Sequence, residues 1–480
     1  MASRYDRHSK DSILNHARLL LGQSLRDRYP GIEPYTKGSG KGVLGQTVEY
    51  SHFDYTPNSD QDPDFKEIGA ELKCTPLKRL QDGSMVSKER LVLTIIDYKS
   101  EALVTFNESS FWHKSRLMLL MFYLHEVGKD FLDYVFRIVR YWEFPEEDLK
   151  IIESDWMVIH TKIVTGRAHE ISEGDTLFLG ACTKGSKGQA NKRHQVNDDI
   201  PADQRAYALK SAYINSIIFD SLFHPEMCAL LEISEKQLKQ WREKFSFRGT
   251  AQNAVNIQDY KAGENFEQVI ERKFKRFYGC SIGQIEKELG VTISSGKAMN
   301  YSLCRAILGV RTAKIAEFEK ADLQLKTISL NPNGVLKESM LFSNVKFCDI
   351  VNEEWEESYW YETISKRFLF VIFRKSEDGV KKNTVLEKIK FWAMPVDDYQ
   401  YAEELWNDTK EKISNGDYEH FIRSSQNPVC HIRPKGADSK DLMLTPQGTR
   451  EKKKCYWLNR KYVLSEILNE NFYHQLNLTQ

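Results

Sequence analysis

The strongest constraint on the fold of this 480-residue chain is an internal repeat. Short landmarks occur in the same order, at similar separations, in its two halves. The clearest pair is DFKEIGAELKCTPL, from Asp64 to Leu77, and EFEKADLQLKTISL, from Glu317 to Leu330. Such a repeat predicts two copies of one folding unit rather than a single large domain.

Further landmarks set the limits of each copy. SGKGVLGQTVEY in the first half matches SGKAMNYSLCRA in the second, and YALKSAYINS matches YWLNRKYVLS near the end of each half. Between the halves, a stretch rich in Gly, Asn and Gln breaks the periodicity, as linkers do. We therefore expect a first domain over residues 1–245, a linker over 246–262 and a second domain over 263–480.

Both halves contain segments rich in Val, Ile, Phe and Tyr, which predict strands. Glu89–Tyr98 and Tyr134–Trp142 are such segments in the first half, and Arg367–Lys375 and Thr384–Pro395 in the second. Apolar residues at helical spacing precede them. Each half is thus predicted to be an α/β or α+β domain, with a central sheet packed against helices.

The overall charge does not indicate a nucleic-acid partner, because 68 basic residues balance 68 acidic ones. A DNA-binding surface would require positive charge gathered on one face. Two runs are basic, Cys182–His194 and Arg450–Lys461, whereas Glu143–Asp155 is acidic. Each run is also compatible with an ordinary solvated surface.

Cysteine usage and apolar runs predict a cytoplasmic protein. The eight cysteines are scattered, without the paired spacing of a zinc site, so we expect reduced thiols. No signal peptide and no apolar run long enough to span a bilayer is apparent.

Asp64, Glu71 and Lys73 lie close together in the segment DPDFKEIGAELK. GAELKCTP has the character of a strand, in which residues two apart share a face, as Glu71 and Lys73 then do. Two neighbouring carboxylates repel each other unless a cation lies between them, and Mg2+ prefers such oxygen ligands. The pattern predicts a phosphodiester-cleaving magnesium site at Asp64 and Glu71, with Lys73 stabilising phosphate charge. The alternative is a charged surface segment, since Glu-x-Lys occurs in many unrelated strands.

The second half keeps the outline of this site and loses its charge. The three equivalents there are Glu317, Gln324 and Lys326. Gln has the shape of Glu but is neutral, so it cannot hold a divalent cation in the same way. Upstream, Glu49 corresponds to Arg305, which replaces a further acidic group by a cation. This asymmetry predicts one half that cuts DNA and one that only binds it.

The motifs together resemble the MutH family of sequence-specific DNA endonucleases, and the two-half layout resembles the Sau-type restriction endonucleases that cleave GATC. The resemblance rests on KGVLG, DFKEIGAELKCTP, WHKSR, GRAHEISEG, GACTKG and RAYALKSAY in the first half, and on HIRPKGADSKD in the second. It covers nearly the whole chain. It implies two tandem restriction-endonuclease-like domains, each with a central mixed sheet flanked by helices.

The resemblance also implies roles for residues. Asp64, Glu71 and Lys73 form the catalytic set, with Glu49 as an additional acidic group near the metal. The implied DNA-binding residues are Lys41, Lys114, Lys184, Tyr207, Lys210, Arg433, Lys435 and Trp457. Where the family has IRPK the first half has ACTK, so only Lys184 carries over there.

Simpler roles remain open for some of these residues. Lys114 is also compatible with a solvated lysine. Tyr207 fits a packed aromatic residue, and Lys210 fits a surface lysine on a helix.

Taken together, the resemblance implies Mg2+-dependent double-strand cleavage at GATC, 5′ of the guanine. The second half would bind another DNA site and stimulate the first. We expect a monomer able to dimerise on DNA. Two alternatives are a mismatch-repair nickase that depends on partner proteins and a DNA-binding protein without activity.

Overall fold

A computed structural model of the chain describes residues 4–36, 42–58, 62–185, 191–222, 233–245, 251–294, 296, 298–436 and 441–468. The chain divides into two units. Met1–Ile171, Asp175–Phe266 and Thr312–Asp322 form the first, and Ser172–Gly174, Glu267–Arg311 and Leu323–Gln480 form the second. Among the described residues, no helix has the length and apolar character needed to cross a bilayer.

The α-helices and strands occur in groups along the chain. The helices are α1 (Lys10–Ala17), α2 (Leu25–Arg28), α3 (Val43–Thr47), α4 (Tyr98–Glu101), α5 (Ser110–Ser115), α6 (Glu146–Val164), α7 (Ser211–Leu222), α8 (Glu235–Phe245), α9 (Phe266–Lys275), α10 (Ile282–Leu289), α11 (Met299–Ile307), α12 (Ala316–Ala321), α13 (Phe347–Ile350), α14 (Tyr359–Ile364), α15 (Tyr399–Ser414) and α16 (Arg460–Tyr462). Two π-helical turns are Val48–His52 and Val463–Ile467. The strands are β1 (Glu71–Arg79), β2 (Met85–Ser87), β3 (Leu91–Ile95), β4 (Met118–Leu124), β5 (Phe136–Trp142), β6 (Leu179–Thr183), β7 (Lys192–Arg193), β8 (Ala202–Asp203), β9 (Arg205–Leu209), β10 (Ala251–Gln252), β11 (Lys314–Ile315), β12 (Gln324–Leu330), β13 (Met340–Asn344), β14 (Phe368–Arg374), β15 (Val385–Trp392), β16 (Cys430–Pro434), β17 (Leu442–Leu444), β18 (Arg450–Lys452) and β19 (Lys454–Leu458).

The first unit is built on a mixed four-stranded sheet in the order β2-β1-β4-β5. β1 runs parallel to β4, with Glu71 opposite Met118, and antiparallel to β2. Strand β4 is buried along its whole length, as expected for a central strand covered on both faces. A second, antiparallel sheet has the order β3-β9-β6. The first sheet fixes the position of Glu71, and the second fixes the strand that leads into Lys184.

The second unit repeats this arrangement. Its mixed sheet has the order β12-β14-β15, with Gln324 opposite Phe368 as Glu71 is opposite Met118. Its antiparallel sheet has the order β13-β19-β16, matching β3-β9-β6. Its core is a large apolar cluster that includes Trp360 and buried residues from both sheets and from α15. The predicted tandem α/β domains with a central mixed sheet are therefore confirmed.

The two units differ from the predicted division at the linker and at one segment of the second repeat. Residues 251–262 of the predicted linker and residues 312–322 both belong to the first unit. The reason is local pairing: β10 forms a parallel bridge with β11, and the buried carboxylate of Glu317 accepts the amides of Ala254 and Val255 at 2.9 and 3.1 Å. The predicted domain boundaries themselves stay a prediction.

A buried carboxylate fastens the start of β6 to helix α6. Asp155 is 4% exposed and accepts three backbone amides, from Leu177 at 2.8 Å, Phe178 at 2.6 Å and Leu179 at 2.9 Å. In the second unit the side-chain oxygen of Asn427 has a similar role: it accepts hydrogen bonds from the amides of Val429 and Cys430 at the start of β16. Because buried amides without acceptors are costly, these contacts hold the two strands in register.

We expect Asp155→Ala to lower the free energy of unfolding by about 3 kcal/mol, because three buried amides lose their acceptor. Met157→Ala is the matched control on the same helix, since Met157 is 54% exposed. That control should change stability by less than about 0.5 kcal/mol. Urea unfolding followed by circular dichroism measures both, and equal effects would contradict the assigned role of Asp155.

Candidate active site

Glu71 and Lys73 form a buried ion pair at the start of β1. Strand geometry puts both side chains on one face, as predicted. The Nζ of Lys73 lies 2.8 Å from Oε1 of Glu71, and Glu71 is only 4% exposed. The Glu71 amide donates to the carbonyl of Leu117 at 3.1 Å, which fixes the strand end. The pair is held on regular, buried backbone rather than on a loop.

Asp64 reaches the same place from the preceding loop. Phe65 and Ala70 close this loop by exchanging backbone hydrogen bonds of 2.9 and 3.2 Å. The amide of Leu72 then donates to Oδ2 of Asp64 at 2.9 Å. Gly69 turns the loop with φ +68°, and a Cβ there would lie 3.1 Å from the guanidinium of Arg116. The loop thus brings a second carboxylate to the edge of β1.

Glu49 adds a third carboxylate from the π-helical turn Val48–His52, which follows α3, a helix packed against β1. Burial, and then the negative charge of Asp64, raises the pKa of Glu49 to about 7. Burial and the charge of Glu71 likewise raise the pKa of Asp64 to about 6. Three acidic groups therefore share one region, and their charges are incompletely compensated by the protein.

Two histidines that the sequence did not indicate fasten the π-helical turn. His16 Nε2 contacts the carbonyl oxygen of His52 at 2.7 Å, and His52 Nε2 contacts that of His16 at 2.9 Å. The hydroxyl of Tyr29 contacts Nδ1 of His52 at 2.7 Å. Burial lowers the pKa of His52 to about 3, so its ring is neutral in the fold. No periodic pattern links two histidines so far apart, so sequence reasoning had no signal for them.

Lys114 lies at the same site. It is in α5, and its Nζ is 3.8 Å from Oε1 of Glu71. Both side chains are largely buried, with 18% and 5% of their surfaces exposed. The simpler interpretation, a solvated lysine, does not describe this position. Two ammonium groups and three carboxylates therefore surround the start of β1.

A divalent cation suits this arrangement. Oε2 of Glu71 is buried and has no hydrogen-bond partner among the described residues. Such an oxygen is costly unless a cation binds it. In the part of the chain that the structure describes, no three His, Cys, Asp or Glu side chains form a metal site by themselves. An ion here would thus rest on Asp64 and Glu71 and complete its shell with water and phosphate, as Mg2+ commonly does.

The equivalent position in the second unit has lost its acidic groups. Gln324 begins β12, and Lys326 lies two residues further along the strand. Lys326 Nζ sits 4.5 Å from the ring centroid of Phe342. Arg305 lies on α11, which packs against β12. Neutral and basic side chains thus replace the carboxylates, and burial lowers the pKa of Lys326.

Of the DNA-binding residues predicted in the first half, Lys184 best fits a surface role. It directly follows β6, is partly exposed, and its amide donates to the carbonyl of Gln204 at 2.8 Å. Lys41 lies outside the described residues.

Tyr207 and Lys210 have structural contacts instead. Tyr207 is completely buried in β9, and its hydroxyl donates to Glu101 at 2.8 Å, so it cannot reach DNA in this conformation. The simpler interpretation, a packed aromatic residue, describes it. Lys210 is partly buried and donates to the carbonyl of Thr176.

In the second half, Arg433 and Lys435 are exposed at the end of β16. The guanidinium carbon of Arg433 lies 3.9 Å from the ring centroid of Trp457, and Nζ of Lys435 lies 6.0 Å from it. Trp457 itself is 3% exposed. The buried indole thus packs against the guanidinium of Arg433, and the contact of Trp457 with DNA stays a prediction.

Comparisons with known proteins agree with this geometry. The family model of the DNA mismatch repair enzyme MutH matches residues 53–155 and 309–405, one segment in each repeat. The type II restriction enzyme Sau3AI of Staphylococcus aureus is 30% identical over 486 residues, which cover 94% of this chain and 93% of that protein. The DNA mismatch repair protein MutH of Pasteurella multocida (strain Pm70) is 27% identical over 182 residues, covering 37% of this chain and 81% of that protein. The chain therefore belongs to the family of type II restriction endonucleases built from MutH-like domains, and it is a site-specific deoxyribonuclease.

Proposed function

We propose that the first unit cleaves both strands of DNA at GATC, 5′ of the guanine, with Mg2+ as cofactor. We further propose that the second unit binds another GATC-containing duplex and stimulates the first. The sequence and cut position rest on the resemblance of the quoted motifs to the MutH and Sau-type families. The proposed setting is the cytoplasm, and the proposed species is a monomer able to dimerise on DNA.

The difference between the two units supports this division of labour most directly. At the start of β1, Glu71 is buried beside Lys73 and Lys114. At the start of β12, the same strand position holds Gln324, which cannot carry negative charge. The scaffold is kept while the charge that would hold a cation is lost. A protein with two active nuclease units would need carboxylates at both positions.

The chain's own groups have separate tasks in this proposal. Asp64 and Glu71 hold Mg2+, which when bound would polarise the phosphate and lower the pKa of a bound water. Lys73 is held by Glu71, so its ammonium stays beside the place where charge grows on phosphate oxygens. Lys114 adds a second positive charge there. Glu49 completes the acidic rim and helps to attract the ion.

Base recognition is assigned to Lys184 in the first unit and to Arg433 and Lys435 in the second. Arg and Lys donate to O6 and N7 of guanine in the major groove, which suits a site containing G. The exposed basic strands near Arg450–Lys452 add phosphate contacts that are independent of sequence.

Two other functions are less well supported. A mismatch-repair nickase is suggested by the MutH relative, but the similarity to a restriction enzyme extends over 94% of this chain. A DNA-binding protein without activity would not need the buried Glu71–Lys73 pair or the neighbouring Asp64. Purified protein that nicks only in the presence of accessory proteins would favour the first of these.

Glu71→Gln tests the catalytic assignment, because it copies the residue that the second unit already has. We expect cleavage in Mg2+ to fall by about 100- to 1,000-fold, since the neutral amide cannot help to hold the cation. DNA binding measured in EDTA should persist.

The matched control is Glu67→Gln, in the exposed part of the loop between Asp64 and Glu71. It removes the same charge from the same loop without touching the buried site, so its cleavage rate should equal that of the wild type. Undiminished cleavage by Glu71→Gln would remove Glu71 from the mechanism.

The two-site proposal predicts faster cleavage of DNA with two GATC sites than of DNA with one. A short GATC duplex added in trans should accelerate the one-site substrate, because it can occupy the second unit. Initial rates on linear DNA of equal length measure this, with a duplex of scrambled sequence as control. Equal rates at every enzyme concentration, unmoved by the added duplex, would refute stimulation.

Digestion of a mapped plasmid in Mg2+, followed by sequencing of the product ends, tests the reaction itself. We expect ends that begin with GATC on both strands. Ends at another sequence, or cuts confined to one strand, would overturn the proposed specificity or the double-strand cleavage.

A further inference from the structure

Lys326 is the feature of the second unit that the loss of catalysis leaves unexplained. Its counterpart Lys73 is neutralised by a carboxylate at 2.8 Å. Among the residues that the structure describes, Lys326 makes no hydrogen bond or ion pair. Its ammonium nitrogen Nζ lies 4.5 Å from the ring centroid of Phe342, in a cation–π contact. The second unit has thus kept the lysine and removed the anion that balanced it.

This position is energetically unfavourable for an ammonium group in the isolated protein. Lys326 is largely buried, and burial lowers its pKa because it disfavours the charged form. A methionine of similar length would fill the same space without that cost. If the residue served only packing, an apolar side chain would serve it better. An ammonium group is favourable at this position if an anion from a bound partner balances its charge.

In the part of the second unit that the structure describes, no carboxylate pairs with Lys326. Gln324 is neutral, and the second lysine of the active site is absent: Lys114 is the fifth residue of α5, and the fifth residue of α14 is Thr363. The hydroxyl of Thr363 donates to its own helix at 2.7 Å. Helix α11, which brings the cation Arg305, packs against β12.

One difference between the two units favours an ammonium group at this position: an aromatic residue, Phe342, replaces an aliphatic one. Phe342 lies at the irregular pairing in β13, between Leu341 and Ser343. The corresponding irregularity in β3, between Val92 and Thr94, holds an aliphatic residue at this place. An aromatic face attracts a cation, and the attraction is stronger when water is excluded. The ring therefore favours the charged form of the lysine at this position while no anion is bound.

We propose that Lys326 binds a phosphate of the DNA backbone directly, without a metal ion, at the position where the first unit holds the phosphate to be cut. This inference rests on the proposed DNA binding by the second unit and identifies one of its contacts. Loss of the carboxylate and retention of the lysine turn a metal-dependent cleavage site into a metal-independent anchor. Binding through this contact contributes affinity and no sequence information.

The test is equilibrium binding of a labelled GATC duplex to the full chain in EDTA, with stoichiometry, over a series of NaCl concentrations. Lys326→Met should weaken the binding of the second duplex about tenfold at low salt. It should also reduce the slope of log K against log salt by about 0.9, the value for one phosphate contact. Lys326→Arg, which keeps the charge, should retain most of both.

Two further variants sharpen the result. Gln324→Glu gives Lys326 the internal partner that Glu71 gives Lys73, and we expect it to weaken the second duplex nearly as much as Lys326→Met. Lys73→Met is the matched control in the first unit and should leave the second duplex unaffected. The melting temperature of Lys326→Met should not fall, because an apolar group replaces an unpaired buried charge.

The possible failures are distinguishable. If two duplexes bind and Lys326→Met changes neither affinity nor salt slope, the phosphate contact is refuted while the proposed function stands. If Lys326→Met mainly lowers the melting temperature, Lys326 has a structural role and the inference is wrong. If only one duplex binds per chain and Arg433→Ala does not weaken it, the proposed second DNA site fails, and the Lys326 contact with it.

Discussion

The hydrogen bond from the amide of Leu72 to Asp64 is the contact on which the active site depends. It joins a carboxylate from a loop to a strand whose first side chain is another carboxylate, Glu71. Together with the two backbone hydrogen bonds between Phe65 and Ala70, it holds the two groups close although their charges repel. Lys73 and Lys114, which both lie beside Glu71, reduce this repulsion. Burial raises the pKa of Asp64 most, and the charge of Glu71 raises it further, so the protein alone does not fully compensate the two carboxylates.

Duplication has preserved the backbone of this site and changed its charges. The register of β12 against β14 repeats that of β1 against β4. Glu317, the sequence counterpart of Asp64, is buried and accepts two backbone amides within the first unit. It has therefore become a structural acceptor that stabilises the chain at residues 254–255. A carboxylate occupied by two amides is a poor ligand for a cation, because its oxygens already have donors.

The proximity of Glu71 and Lys73 could be predicted from sequence because their spacing reflects strand geometry directly. Residues two apart on a strand share a face, so Glu71 and Lys73 had to meet once β1 was recognised. Glu49 could be placed near them only through the repeat and the family resemblance. The two histidines that fix its π-helical turn gave no signal, since their contacts join distant segments through backbone carbonyls.

Buried positions in the two antiparallel sheets, β3-β9-β6 and β13-β19-β16, were harder to predict. Tyr207 and Trp457 lie in strands next to basic residues, and an aromatic residue beside lysines is typical of DNA-binding surfaces as well as of cores. Tertiary packing decides between the two, and it buries both residues. Strand β4 was missed for a related reason: a short apolar run without alternation does not distinguish a central strand from a buried helix. The domain boundary was drawn from composition, which cannot show that β10 pairs with β11.

Strands β16 and β19 of the second unit differ from β6 and β9 of the first by a coupled pair of replacements. In the second unit Arg433 stands over the ring of Trp457 at 3.9 Å, which limits the rotamers of the arginine and so lowers the entropy lost on binding. By strand register, the same two places in the first unit hold Cys182 and Ala208, which pack in a small apolar cluster. Each of the two residues depends on the other: without the ring the arginine would be mobile, and without the arginine the ring would only fill space. The two units therefore carry different side chains on strands that follow one path, just as β1 and β12 carry different charges on one backbone.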